Sequence, residues 1–147
     1  MRNSDIRPYY GRMDVHASNE HVTVSVPADG RSVHVLRAVT AAVASRMRMS
    51  FDSIEDLRLA VDEASAWLLA ANRDASTLTL RLLPMDDRLE AVVAVEDAAG
   101  AWPPADVEQG LPWRILSALV DTLALGTDPS EPSISLGKRT LEPTPAP

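Results

Sequence analysis

The sequence predicts an α/β (α+β) two-layer sandwich, with helices packed on one face of a mostly antiparallel sheet. Two patterns lead to this fold class. Some segments alternate apolar and polar residues, as half-buried strands do, and others repeat apolar residues every three or four positions, as amphipathic helices do. With 147 residues, of which 46% are hydrophobic, the chain is long enough for one domain with its own core.

The first predicted strand alternates three valines with threonine and serine. The second and third are joined by the polar sequence PMDDR, which predicts a hairpin-like turn. The last strand places Ile134 and Leu136 on one face and serines on the other. The predicted strands span residues 21–27, 76–83, 89–97 and 133–139. Together with three helices, they give the element order β-α-α-β-β-α-β.

Each predicted helix has a recognisable start. Ser32 is expected to cap the first helix. Ser53 and Asp56 form an S-x-x-D pattern, close to a capping box, at the start of the second. The third carries Pro112 in its first turn, where a missing N–H is tolerated. The predicted helices span residues 32–47, 53–72 and 111–125.

The two ends of the chain are expected to be flexible tails outside a domain of residues 21–140. Residues 1–20 are polar and follow no period, and residues 141–147 are rich in proline. The sequence has no run of about 18 apolar residues that would predict a membrane span. The N-terminus also lacks the apolar region of a signal peptide. We therefore expect a cytoplasmic protein without membrane contact.

The composition excludes several kinds of site. The absence of cysteine excludes disulfides and thiolate zinc sites, and the three histidines lack metal-ligand spacing, so no metal site is expected. Residues 74–147 carry the whole net charge of −7, with five acidic and no basic residues between Leu89 and Trp113. Such a surface repels phosphates, so nucleic acid is not expected as a partner, whereas a basic protein would suit it.

One segment of the second predicted helix carries more than a helical pattern. Residues 56–70, DLRLAVDEASAWLLA, place Glu63 and Trp67 four positions apart and therefore on one face. The segment resembles the sequence D-L-x-x-A-V-x-E-A-x-x-N of RsbW-like anti-sigma factors, serine-protein kinases with the GHKL (Bergerat) ATPase fold. The resemblance extends over about residues 20–140 of the chain. It implies that Glu63 is a remnant general base and that Trp67 replaces the asparagine that binds the magnesium of ATP.

The first glycine motif of that family, D-x-G-x-G after a strand, is altered here. It reads DAAGAW, in which Asp97 matches the aspartate that accepts a hydrogen bond from adenine in the family. Ala99 and Ala101 stand at the glycine positions, with Gly100 between them. Because glycine permits positive φ and a close approach of the backbone to phosphate, the two alanines weaken this part of the site.

The second motif, G-x-G-L leading into a helix, reads GLPWRILSALVD, where Gly110 matches and Pro112 replaces the second glycine. Pro112 has no N–H to offer a phosphate at a helix N-terminus. Magnesium prefers oxygen ligands, and the indole of Trp67 offers only an N–H donor. We therefore predict a degenerate nucleotide site with no cofactor, at which ATP and magnesium bind weakly at most. A second interpretation, in which Trp67 is a core residue of an unrelated helix, stays open.

Three functions are compatible with the resemblance. The first is an anti-sigma factor that sequesters a stress or sporulation-type sigma factor and is released by an anti-anti-sigma (STAS) protein. The second is an active serine kinase that phosphorylates that STAS protein, and the third is an adaptor domain with changed partners. The resemblance implies partner contacts at Arg46, Arg48 and Met49, although these residues also suit a helix end and a core edge. It also implies a possible homodimer.

Overall fold

The fold is built from eight regular elements. The computed structural model describes residues 21–99 and 102–141. The strands are β1 (Val22–Pro27), β2 (Thr77–Pro84), β3 (Arg88–Glu96), β4 (Thr122–Leu125) and β5 (Ser133–Arg139). The helices are α1 (Val33–Arg46), α2 (Phe51–Ala71) and α3 (Leu111–Leu119), with single 3₁₀ turns at Gly30–Ser32 and Val107–Gln109.

The five strands form one sheet in the order β1-β2-β3-β5-β4. All four pairings are antiparallel, with Val24 opposite Leu80 and Val93 opposite Ile134. Alternate residues of β2, β3 and β5 belong to the same core cluster as the apolar stripes of the helices, so the helices cover one face of the sheet. The predicted two-layer sandwich with a mostly antiparallel sheet is confirmed.

Helix α2 supplies the central stripe of that core. The predicted stripe residues Leu57, Val61, Ala64 and Leu68 are fully buried, whereas Ile54 is half-buried at its edge. Their spacing of three or four residues keeps them on one face of the helix, which lies against β3 and β5. Each fully buried leucine or valine side chain contributes about 1.5–3 kcal/mol relative to an exposed one.

The predicted third helix is wrong in its length. Helix α3 ends at Leu119, Val120 is extended with φ −125° and ψ 164°, and Thr122–Leu125 forms the additional strand β4. In β4 the side chains of Leu123 and Leu125 pack against the core, whereas Thr122 is exposed. This alternation has the period of a strand, and pairing with β5 satisfies the backbone of β4 on that side.

Of the predicted helix caps, Ser53 is wrong, and Ser32 is right in its position at the N-cap of α1 but not in its hydrogen bond. Ser32 makes no capping hydrogen bond, and the side chain of Asp29 accepts from the Arg31 N–H at 2.9 Å at the start of the 3₁₀ turn instead. Helix α2 begins at Phe51, where Ser50 Oγ accepts from the Ser53 N–H at 3.1 Å. An Asp or Ser side chain three residues earlier than predicted therefore satisfies the free N–H groups of each first turn.

The predicted tails lie largely outside the described residues. Residues 1–20 and 142–147 are outside, and Leu141 is the one tail residue that is described. Its N–H donates to Arg48 O at 2.6 Å, beside the junction of α1 and α2. Among the described helices, none combines the length and the hydropathy that crossing a membrane requires.

Candidate functional site

The candidate site is defined by residues from three parts of the fold: one side of α2, the end of β3 and the start of α3. Asp56, Glu63 and Trp67 lie along one side of α2. Lys138 Nζ donates to Asp56 Oδ2 at 3.1 Å and to Leu119 O at 2.8 Å. One ammonium group therefore joins β5 to α2 and to the last carbonyls of α3, so Asp56 is held in a structural contact.

Trp67 packs against a residue that the sequence analysis missed, Trp102. Their ring centroids are 5.5 Å apart with an interplanar angle of 64°, the edge-to-face arrangement that aromatic rings favour. Trp102 is only 4% exposed, and its buried Nε1–H has no hydrogen-bond acceptor among the described residues. Trp67 is half-buried. The available signal was a large aromatic residue between alanine and proline in AWPP, where burial is the usual reason for a tryptophan.

Asp97 lies immediately after β3, as the first glycine motif predicts. It has φ 62°, in the left-handed region that aspartate tolerates better than most residues. Its Oδ2 accepts a hydrogen bond from Ser76 Oγ, which comes from the loop before β2. Ala99 is exposed, and the predicted positions Gly100 and Ala101 lie outside the described residues. The Asp97 carboxylate is therefore already engaged with a neighbouring hydroxyl.

The second glycine motif forms the start of α3. Gly110 is the N-cap, with φ −83° and ψ 157°, and its N–H donates to Val107 O at 3.1 Å. A Cβ at Gly110 would lie 3.4 Å from Val107 O, which is ordinary contact, so this conformation does not require glycine. Pro112 lies in the first turn and supplies no N–H, and no side chain caps the helix. This helix start therefore offers fewer donors to an anion than an ordinary one.

Glu63 is the chemically free carboxylate of the site. Its side chain is half-buried, and it forms no hydrogen bond or ion pair with another described residue. Within residues 21–99 and 102–141, no group of three or more histidine, aspartate or glutamate side chains could hold a metal ion. The structure therefore shows a half-buried carboxylate one helical turn before Trp67, whose ring contacts Trp102.

The predicted partner-contact residues lie at the junction of α1 and α2. Arg46 and Arg48 are exposed there. Met49 is only 8% exposed and belongs to the core cluster, so burial removes it from the predicted contact surface. Phe51, the first residue of α2, is 75% exposed at the same junction, and the sequence analysis missed it. An exposed phenylalanine beside two arginines has the composition of an interface anchor.

The comparisons with known proteins agree with this fold. No family model matches the chain. The chain is 38% identical over 80 residues to the serine-protein kinase RsbW of Bacillus subtilis. The aligned region covers 52% of this chain and 50% of that protein. It is 34% identical over 77 residues to the serine-protein kinase RsbW of Bacillus cereus, covering 51% and 48%. The match thus spans about half the length of these relatives.

A solved structure extends the likeness over most of the chain. The crystal structure of the RsbU and RsbW domains of Rv1364c from Mycobacterium tuberculosis superposes with a TM-score of 0.65 at 14% identity. The superposition covers 84% of this chain and 33% of that one. The fold and the α2 segment thus define an RsbW-like α+β domain. The chain is RsbW-like in sequence over about half of its length and in fold over most of it.

Proposed function

We propose that this chain is an anti-sigma factor that binds and sequesters an alternative sigma factor of the stress or sporulation type. A STAS anti-anti-sigma protein then releases the sigma factor. The RsbW-like sequence and fold support this proposal. The observation that carries its particular form, a binding switch without nucleotide chemistry, is the contact between Trp67 and Trp102.

The residues at the site do not fit ATP and magnesium. The indole of Trp67 stands at the position of a magnesium ligand and offers no oxygen. Trp102, from the segment that leads into α3, packs its ring against Trp67, and Pro112 withholds an N–H from the helix start. We assign no phosphoryl-transfer step to this chain, and Glu63 is a remnant of the base.

The junction of α1 and α2 is the proposed docking surface. Arg46 and Arg48 present two exposed guanidinium groups, which bind carboxylates with two hydrogen bonds each. The ring of Phe51 adds an apolar anchor between charged groups. A sigma-factor segment that carries both acidic and apolar side chains suits this combination.

A second candidate function is an active serine kinase that phosphorylates the STAS partner. Two observations favour it: the relatives are serine-protein kinases by name, and the Glu63 side chain is free to accept a proton. An adaptor domain with changed partners is the third candidate, and it predicts capture of proteins other than sigma factors.

Affinity capture from the native host tests the anti-sigma proposal. The tagged chain is expected to retain a protein identified by mass spectrometry as a sigma factor, and the double variant Arg46→Glu, Arg48→Glu is expected to lose it. Arg73→Glu is the matched control, because Arg73 is exposed beyond the other end of α2, about 30 Å away for a helix of 21 residues. A wild-type capture without any sigma factor would overturn the proposal and favour the adaptor.

Calorimetry with ATP and magnesium separates the switch from the kinase. We expect no binding in the micromolar range and no transfer of phosphate to a STAS partner. Micromolar affinity, together with transfer that Glu63→Ala abolishes, would establish the kinase instead. Glu55→Ala is the matched control, because Glu55 lies on another side of α2 and pairs with Arg58 at 2.6 Å.

A further inference from the structure

Trp102 is much more deeply buried than the residues that follow it in the chain. It lies in the segment of residues 102–110 that leads into α3, and every other residue of this segment is half-buried or exposed. Trp102 itself is 4% exposed, as buried as the sheet core, and belongs to the core cluster. One side chain therefore supplies most of the apolar burial that holds this segment on the domain.

The contact between Trp102 and Trp67 depends on shape and not on a hydrogen bond. The rings meet edge to face with centroids 5.5 Å apart, and within residues 21–99 and 102–141 the Trp102 Nε1–H has no acceptor. A buried indole usually finds a partner for its N–H. Here no hydrogen bond fixes the ring, so another flat aromatic molecule of similar size can take the same space.

We propose that Trp102 is a built-in occupant of the candidate site, which fills the space beside Trp67 and anchors residues 102–110 on α2 without any ligand, whereas α3 is held on α2 by its own buried Leu116. Removal of its side chain leaves a pocket for a flat heteroaromatic molecule of the size of indole. This inference rests on the proposed degenerate nucleotide site and names the residue that replaces the ligand. As a consequence, partner capture by the wild-type chain is independent of ATP.

Hydrogen exchange of the purified chain tests the proposal. In Trp102→Ala, the amides of residues 105–110 are expected to exchange at least about tenfold faster, because the loss of an aromatic contact and of its burial lowers the free energy of local opening by an amount of that order. The amides of β2 and β3 should keep their protection, because the sheet does not depend on this contact. Leu111→Ala is the matched control, because Leu111 is an exposed residue at the start of α3.

Two further variants make the test specific. Trp67→Ala should accelerate exchange of the same amides. The double variant should exchange no faster than Trp102→Ala alone, because the two substitutions remove the same contact. Millimolar indole should restore protection in Trp102→Ala and should have no effect on the wild type or on Leu111→Ala. Wild-type capture of the sigma factor should be equal with and without ATP.

Unchanged exchange of residues 105–110 in Trp102→Ala, or equal acceleration in β2 and β3, would overturn the proposal. The first outcome would show that Trp102 anchors nothing, and the second that it is an ordinary core residue. If Trp102→Ala does not fold, Trp102→Leu is measured with the same two criteria. Because the exchange and indole measurements need no partner protein, they can fail while sigma-factor capture succeeds, and the reverse.

Discussion

Restoring the asparagine of the family motif by Trp67→Asn should not restore nucleotide binding. The amide oxygen would return to the helix face where a magnesium ligand is expected. The indole of Trp102 would still fill the neighbouring space, and Pro112 would still lack its N–H. Because these defects affect separate contacts, their effects on binding roughly add.

The structure sets the expected magnitudes. One regained hydrogen bond to a charged group is worth about 1.5 kcal/mol, which corresponds to about a tenfold gain in affinity. Trp67 is half-buried and loses its packing on Trp102, so the substitution should also cost about 2–4 kcal/mol of folding stability. The variant therefore gains little affinity and loses much of a typical domain's margin of stability.

The assay combines calorimetry with ATP and magnesium and unfolding in urea for each variant. Trp67→Phe serves as the control that keeps an aromatic ring and adds no oxygen. A combined variant adds Ala99→Gly, Ala101→Gly and Pro112→Gly, and the structure adds Trp102→Ala to that set. Only the combined variant should approach micromolar affinity. Full affinity in Trp67→Asn alone, with the fold intact, would show that Trp67 is merely a plug in a competent pocket.

Three further predictions concern stability, each measured by unfolding in urea. Burial raises the pKa of Glu90, although Arg88 Nε lies 3.0 Å from its carboxylate. The stabilising contribution of Glu90 is therefore complete below the ordinary pKa of 4.5 and is lost as the pH rises through the folded-state pKa. The free energy of unfolding of Glu90→Gln should thus rise relative to that of the wild type as the pH increases above 4.5, and parallel pH curves would contradict this. Gly137→Ala should cost about 1–3 kcal/mol, because its Cβ would overlap Thr122 Oγ1 and lie 3.0 Å from Glu90 Oε2; adding Thr122→Ala should recover part of the loss, and no recovery would refute the overlap. Ser50→Ala should cost about 1 kcal/mol and Ser53→Ala much less, because Ser50 is the N-cap of α2; the reverse order would restore the predicted cap at Ser53.

The layers of the fold were predictable because their patterns are long and regular. Strand β5 was predicted with its observed limits, and the buried stripe of α2 was predicted almost completely. Strand β4 was not, because Leu116, Leu119 and Leu123 continue a helical spacing past the true end of α3. No glycine or proline marks that end, and only pairing with β5, the next strand along the chain, makes the strand favourable.

The candidate site was predictable only in part. The sequence identified the side of α2 that carries Glu63 and Trp67, because residues four apart in a helix lie on the same side. It could not identify Trp102, which belongs to an irregular segment and is buried by a contact across 35 positions of the chain. The sequence also could not show that Met49 is buried, because a methionine at a helix junction suits the surface and the core equally, and the packing around it determines which of the two it occupies.

The position of β5 has a consequence for the synthesis of the protein. It is the last strand along the chain, yet it lies between β3 and β4 in the sheet. While translation proceeds, β3 has an open edge and β4 has no neighbour, because the strand that joins them has not yet been made. The domain thus completes its sheet only when residues 133–139 have left the ribosome. A nascent or prematurely terminated chain leaves the edge of β3 free to pair with other chains, and it lacks Lys138, which ties α2 to α3.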